Sequence, residues 1–419
     1  MVNLNKDSQV YDKRWALISI ASIPLVMTLG NSMLIPILPT MEKELSISPL
    51  QSSLIITVYS IFAIIFIPIA GFLSDKWGRK TIIIPSLTLA GIGGLISAFA
   101  SWKLSNPFII ILIGRILQGI GAAGAFPIVL PLVGDMFRTD KEISSSLGII
   151  ETSNTLGKVF SPIIGALLAS FFWFAPFVAI PIFCLISILM MLFLVKSPKN
   201  KEAIPFREFM NGIKRIFRYN SLWLISLFFI GGILMFILFG ILFYLSSLLE
   251  TDYGIGDVKK GLILAIPLFA LCLASYITGK KINDNKVLMK RISFLGLIIL
   301  TISIIPLSFT KNLWFSIALF IIVGIGIGIG LPCLDSLLTA GIEKEKRGTI
   351  SSLYSSMRFI GVAFGPPILA VMMKFMENYI FYSLSALSLL TALICYFGIR
   401  PEKEEEKEKN STIFEKIKV

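Results

Sequence analysis

Five ionisable side chains interrupt otherwise apolar stretches of this chain: Arg115, Glu151, Lys158, Asp335 and Arg358. The 419 residues include no histidine. That removes Ser-His-Asp triads, His-ligated metals and imidazole proton relays. A group that moves protons here must be a carboxylate, which leaves Glu151 and Asp335. Burial favours the neutral acid and a nearby cation favours the charged one. Arg358 is the expected partner that keeps Asp335 ionised. Lys158 stands seven residues beyond Glu151, about two helical turns or roughly 10 Å along the axis, too far to do the same. Glu151 is therefore the expected proton carrier and Asp335 the second choice. Glu151, Thr155 and Lys158 share one helix face, flanked by Asn154. They form either the polar lining of a cavity or two charges each paired to another helix. Asn31, Gln118, Asp335 and Arg358 complete the expected cavity and substrate residues. Arg115 is either a structural arginine bound to backbone carbonyls or a neighbour that tunes a proton-coupling carboxylate.

These residues need helices that cross a bilayer. Hydrophobic residues make up 55% of the chain and charged residues 15%, against roughly 25% charged in a soluble domain; the mean hydropathy is +0.85. Apolar runs long enough to span a membrane recur over residues 15–39, 50–74, 81–101, 107–134, 144–171, 173–195, 221–249, 258–279, 289–309, 313–341, 349–374 and 379–399, termed spans 1–12. The first run is too long for a signal-peptide core, so it is expected to remain as span 1. All six tryptophans fall near expected span ends, as an interfacial belt requires.

The net charge of +13 is explained by topology rather than by a nucleic-acid partner. Of the 38 Lys and Arg, 29 fall on the termini and the even-numbered loops, and 6 on the odd-numbered loops. The positive-inside rule then puts both termini in the cytoplasm. The stretch 196–220, with Phe206, Phe209, Met210 and Ile213 set against Arg207, Lys214, Arg215 and Arg218, reads as a surface-lying amphipathic helix. The expected organisation is a six-helix bundle over 1–195, a cytoplasmic linker over 196–220, a second bundle over 221–399 and a disordered cytoplasmic tail over 400–419. Matching glycines recur at offsets of about 204 to 208: Gly157 with Gly361, Gly124 with Gly330, and Gly71 with Gly279. They indicate two parallel repeats, an arrangement that places substrate at the midplane between halves.

The loop between spans 2 and 3 reads Gly71-Phe-Leu-Ser-Asp75-Lys-Trp-Gly78-Arg79-Lys80. It resembles the signature loop of the major facilitator superfamily at every fixed position. The resemblance implies a gating cluster in which Asp75 faces the start of span 11 near Arg347-Gly348 and Arg79 pairs with Asp135. The segment Gly279 to Asp284 is a degenerate second copy. Span 4 carries Arg115-Ile-Leu-Gln118-Gly119-Ile-Gly121-Ala-Ala, which resembles the superfamily's second motif. Span 5 carries Gly157, Ser161, Pro162 and Gly165 in a pattern similar to the antiporter motif of twelve-span drug exporters. Ser161 and Ala166 stand where that motif has glycine.

No glycine lies five residues before Gly157-Lys158 or Gly279-Lys280, so there is no phosphate-binding loop. The four cysteines, all in apolar runs, lack metal-ligand spacing. No cofactor, metal or catalytic residue is expected. The resemblance implies an all-α polytopic cell-membrane protein of twelve helices in two pseudo-symmetric bundles. It implies a monomer that exchanges protons for a small-molecule cargo across the lipid bilayer. Multidrug efflux is the first reading. The Glu-x-x-Asn-x-x-Gly-Lys stripe also resembles exporters of endogenous siderophores, which is the alternative. An uptake symporter ranks below both.

Overall fold

The computed structural model describes residues 2–137, 140–195, 221–282, 285–310, 312–340 and 347–399. The expected linker helix over 196–220, the tail from 400, and Asn283-Asp284 of the degenerate motif lie outside the described residues. Among those described there is no strand. A backbone crossing hydrocarbon must satisfy its own hydrogen bonds, and a helix does so within one segment.

Among the described residues twelve helical spans follow one another. They are α1 (Val2–Ser32, continued after a 3-10 turn by Leu38–Leu45), α2 (Pro49–Trp77), α3 (Arg79–Lys103), and α4 (Phe108–Ala125, continued by Val129–Met136). Next come α5 (Asp140–Ala169), α6 (Ala175–Leu194), α7 (Ser221–Thr251) and α8 (Asp257–Lys281). The last four are α9 (Lys286–Ile304), α10 (Leu313–Ala340), α11 (Arg347–Phe375) and α12 (Ile380–Gly398). The break in α4 falls at Phe126-Pro127-Ile128, where proline removes a helix donor. A capping box opens α2: the Gln51 amide donates to Ser48 Oγ at 3.3 Å, and the Ser48 amide to Gln51 Oε1 at 2.9 Å.

Eleven of the spans are long and apolar enough to cross a membrane; α5 is not among them. Its Glu151, Thr152, Ser153, Asn154, Thr155 and Lys158 dilute the apolar content, so the chain concentrates polarity in one helix. Trp77, Trp102 and Trp314 are exposed at helix ends and Trp15 is exposed near the start of the first apolar span, as a belt requires. Trp223 departs from that expectation: it is buried in the protein core.

The helix pairing repeats. Within the first half, α1 packs on α5 and α6, α3 on α4 and α6, and α2 on α4. Within the second, α7 packs on α11 and α12, α9 on α10 and α12, and α8 on α10. Each pair has its counterpart six helices on. The match extends to single residues: Gly157 rests on Thr28, and Gly361 rests on Gly232, so both partners shift by the same offset of 204.

The two large contacts between halves, α2 with α11 and α5 with α8, exchange under the same operation. Thr57 Oγ1 donates to the Ala363 carbonyl at 2.8 Å, and Ser246 Oγ to the Ile35 carbonyl at 3.1 Å. These contacts cluster toward the end that carries the 1–2 and 7–8 connections, away from the termini. Among the described residues the halves are joined at that end, and at the opposite, open end Gly71, Gly134, Gly148 and Gly279 have no neighbour where a side chain would stand.

Candidate functional site

The polar stripe of α5 sits between the halves. Thr28 Oγ1 on α1 donates to Asn154 Oδ1 at 2.6 Å, and Asn154 Nδ2 donates to Glu151 Oε1 at 3.1 Å. Thr155 Oγ1 donates to the backbone carbonyl of Glu151 at 2.9 Å. Glu151 is half-buried, and no cation stands within ion-pair distance of it among the described residues. Across the interface Arg358 on α11 pairs with Asp335 on α10 at 3.6 Å, as expected, and lies 5.8 Å from the Tyr354 ring. Lys158 is 7% exposed, and Glu151, Asp335 and Arg358 are the charged groups near enough to act on it. The structure thus brings both carboxylates and both cations of the expected cavity into one electrostatic neighbourhood.

Beside Lys158 lies a small cleft with room for about one water molecule. Ser32 and Ile35 from α1 and Lys158 and Pro162 from α5 line it on one side. Leu238, Phe239 and Leu242 from α7 and Leu264 and Leu268 from α8 line the other. Residues of both halves thus meet at this cleft.

Arg115, Asn31 and Gln118 form a different structure from the expected one. Arg115 is 0% exposed. Its Nε donates to the Ile55 carbonyl at 2.7 Å, and its terminal nitrogens donate to the Gly30 carbonyl at 3.3 Å, to Gln118 Oε1 and to Asn31 Oδ1. Its guanidinium lies 4.4 Å from the Tyr59 ring centroid, a cation–π contact. No carboxylate is among these partners, which corrects the proton-coupling reading of Arg115. The residue ties α4 to α1 and α2 through neutral oxygens, and Asn31 and Gln118 are its ligands rather than cavity walls.

The antiporter-like motif has a packing explanation. A side chain at Gly165 would run into the Met33 carbonyl, and one at Gly157 would press on Thr28 and the Leu25 carbonyl. On the other face of α5 the Pro162 carbonyl meets Gly261 of α8. Ser161 Oγ, in place of the motif's glycine, turns back to the Gly157 carbonyl at 2.5 Å. The motif is a close-packing strip between α1 and the opposite half.

At the open end, Arg79 Nε donates to Asp135 Oδ2 at 3.2 Å, and Arg79 also pairs with Asp75 and donates to Ser74 Oγ at 2.7 Å. Gly78 adopts φ +100° between α2 and α3, a left-handed backbone that requires glycine. Among the described residues Asp75 pairs with Arg79 of its own half; the side chain of Arg347 at the start of α11, its expected partner, lies outside the described residues. Lys80 donates to the last carbonyls of α6, Leu192 at 3.0 Å and Val195 at 2.7 Å, and so closes off a helix end.

One cluster escaped the sequence reading. At the joined end Glu250 of α7 accepts from Lys43 at 2.8 Å and pairs with Lys260 of α8. Thr40 reaches it at 3.4 Å. Lys260 is 2% exposed. Lys43 and Thr40 belong to the first half and Glu250 to the second, so this ion pair crosses the interface. An acid at the end of an apolar span, facing the few lysines of the odd-numbered loops, was the available signal.

Comparison with known proteins agrees with this architecture. The family model described as Major Facilitator Superfamily matches residues 20–366 and again 290–418. The "Bacillibactin exporter" of Bacillus subtilis (strain 168) is 53% identical over 400 residues, covering 95% of this chain and 99% of that protein. "Multidrug resistance protein 1" of the same organism is 26% identical, covering 84% of this chain and 88% of that protein. The crystal structure of the human organic anion transporter MFSD10 superposes with a TM-score of 0.72 at 17% identity, covering 91% of this chain and 99% of the other, which speaks to the fold alone.

Proposed function

We propose that this chain, which belongs to the Major Facilitator Superfamily, exports bacillibactin or a closely similar endogenous siderophore in exchange for protons. The observation that carries the reading is 53% identity along 95% of the chain to a bacillibactin exporter, set against 26% to a multidrug protein. The order of the two sequence readings is thereby reversed: siderophore export stands first and multidrug efflux second. A stripe with two charges and a carboxamide on α5 suits a polar cargo better than a greasy cation.

The protein works as a monomer in the cell membrane with both termini in the cytoplasm. The distribution of Lys and Arg supports that orientation, and both halves that meet at the polar stripe of α5 come from one chain. The joined end is then the outer one, and the cargo enters from the cytoplasm. The Glu250 cluster holds the outer end shut while the Asp75–Arg79–Asp135 cluster stays within its own half. In the alternate state the outer pairs break and Asp75 turns to the start of α11.

Glu151 carries the proton. Its carboxylate is met by a neutral carboxamide, whereas Asp335 is held in an ion pair. Return of a proton through the outward-open state resets the cycle.

The test is complementation. A Bacillus subtilis strain lacking its bacillibactin exporter, supplied with this chain, is expected to recover secreted bacillibactin. Asp75→Asn is expected to insert normally and fail to restore secretion. Undiminished intracellular retention with the wild-type chain, together with a broad rise in drug tolerance, would return multidrug efflux to first place.

A further inference from the structure

We propose that the Thr57 hydroxyl and the Ala363 carbonyl form a latch that holds the two halves together at the joined end, and that the latch releases when that end opens. The inference goes beyond the export reading and concerns the chain without cargo.

The latch begins with a gap in the backbone ladder of α11. Pro366-Pro367 is the one proline pair in the chain. A helical carbonyl is answered by the amide four residues on, or three on where the helix tightens. For Ala363 those two positions are Pro367 and Pro366, and proline has no N–H. The Ala363 carbonyl therefore has no donor at either position of its own helix. Ala363 is 0% exposed, and an unpaired carbonyl is costly there, more so at membrane depth. Thr57 Oγ1, on α2 of the other half, supplies the missing donor at 2.8 Å.

Thr57 has a second acceptor. Its Oγ1 also lies 3.1 Å from the Ser53 carbonyl, one turn back on α2, the bond that threonine makes within its own helix. The hydroxyl can thus leave α11 without being stranded. The Ala363 carbonyl has no such alternative, and once α2 withdraws it waits for water from the opened cleft. That difference makes the pair a latch for the joined state.

The internal repeat provides a comparison within the molecule, because the α5–α8 contact is the counterpart of α2–α11. At the offset of 204, Ala363, Pro366 and Pro367 correspond to Val159, Pro162 and Ile163. Ile163 keeps an N–H for the Val159 carbonyl. At the offset of 208 that relates Gly71 to Gly279, Thr57 corresponds to Ala265, which has no hydroxyl. The second proline and the hydroxyl occur together at one interface and are missing together from the other. Each answers the other.

The experiment is a spin-label distance measurement between the 1–2 and 7–8 connections, on the full chain in lipid nanodiscs without cargo. Thr57→Val removes the hydroxyl and is expected to raise the ratio of open to joined molecules about fivefold, the scale of leaving a buried acceptor unpaired. Thr57→Ser should keep the wild-type distribution. Pro367→Ala returns an N–H to the Ala363 carbonyl, so in that background Thr57→Val should change the ratio by less than about twofold. An unchanged distribution in Thr57→Val overturns the inference. So does an equal shift in Thr57→Ser, or a shift that persists in full beside Pro367→Ala. A chain that shows the latch and does not secrete bacillibactin keeps this inference and sinks the export reading. A chain that secretes bacillibactin and is indifferent to Thr57→Val does the reverse.

Discussion

A carboxylate that must load and unload a proton has to be reachable from both protonation states, and its partners decide that. Glu151 is half-buried and accepts from the Asn154 carboxamide at 3.1 Å, a contact that a neutral carboxyl can keep. Asp335 faces the Arg358 guanidinium, which would be stranded if Asp335 became neutral. We therefore expect Glu151→Gln to abolish substrate-induced proton release from detergent-purified protein while still binding substrate. Full release from that variant would transfer the role to Asp335. At this scale some pairings were legible in the sequence and others were not. Asp335 with Arg358 was, because it joins lone opposite charges in spans that must meet, and Arg79 with Asp135 followed from the family resemblance of the loop between spans 2 and 3. The partners of Arg115 were not: two are backbone carbonyls of α1 and α2, which no side-chain pattern marks. Glu250 was missed because it ends an apolar run and its lysines come from two separate segments.

Among the helices, α5 does two things that pull against each other. Its N-terminal half carries the polar stripe, and its C-terminal half must fit closely between α1 and α8. Small residues make the second possible in a bilayer, where close backbone approach supplies the packing energy. Gly165 lies against the Met33 carbonyl, whereas Gly148 has no neighbour where a methyl would stand. Gly165→Ala is expected to destabilise the folded protein by about 1–3 kcal/mol, the usual cost of overpacking. Gly148→Ala is expected to be neutral or mildly stabilising, since alanine is the better helix former. Thermal unfolding of the two variants in detergent checks the contrast. Most span limits were legible to within a few residues, because apolar runs of bilayer length leave little freedom; α1 was not, since its helix starts at Val2 rather than 15 and its continuation runs to Leu45 rather than 39. The split of α4 at Phe126-Pro127-Ile128 was not. The corresponding Pro332 sits within a continuous α10, so proline alone does not decide a break.

Across the whole molecule the repeat sets the mechanics. The contact pairs α2–α11 and α5–α8 exchange under the operation that maps one half on the other, so a rocking motion about them opens either end in turn. The family-like loop at the open end announced itself in sequence. Its counterpart at the joined end, built on Glu250, Lys43 and Lys260, is made from residues scattered along the chain and emerges only on folding. Glu250→Gln removes the charge that holds Lys43 across the interface and leaves Lys260 buried beside a neutral group. That variant is expected to shift toward the outward-open state. Spin labels on the 1–2 and 7–8 connections should report a longer distance population than in the wild-type protein. An unchanged distance distribution would assign Glu250 to local packing.

The account's central claim is that cargo leaves in exchange for protons, and proteoliposomes address it most directly. With purified protein in vesicles acidic inside, protons leaving down their gradient should drive bacillibactin into the lumen above its external concentration. The accumulation should vanish with a protonophore and in Glu151→Gln. Accumulation that is equal without the gradient, or that appears only when the gradient is reversed, would contradict proton-coupled export.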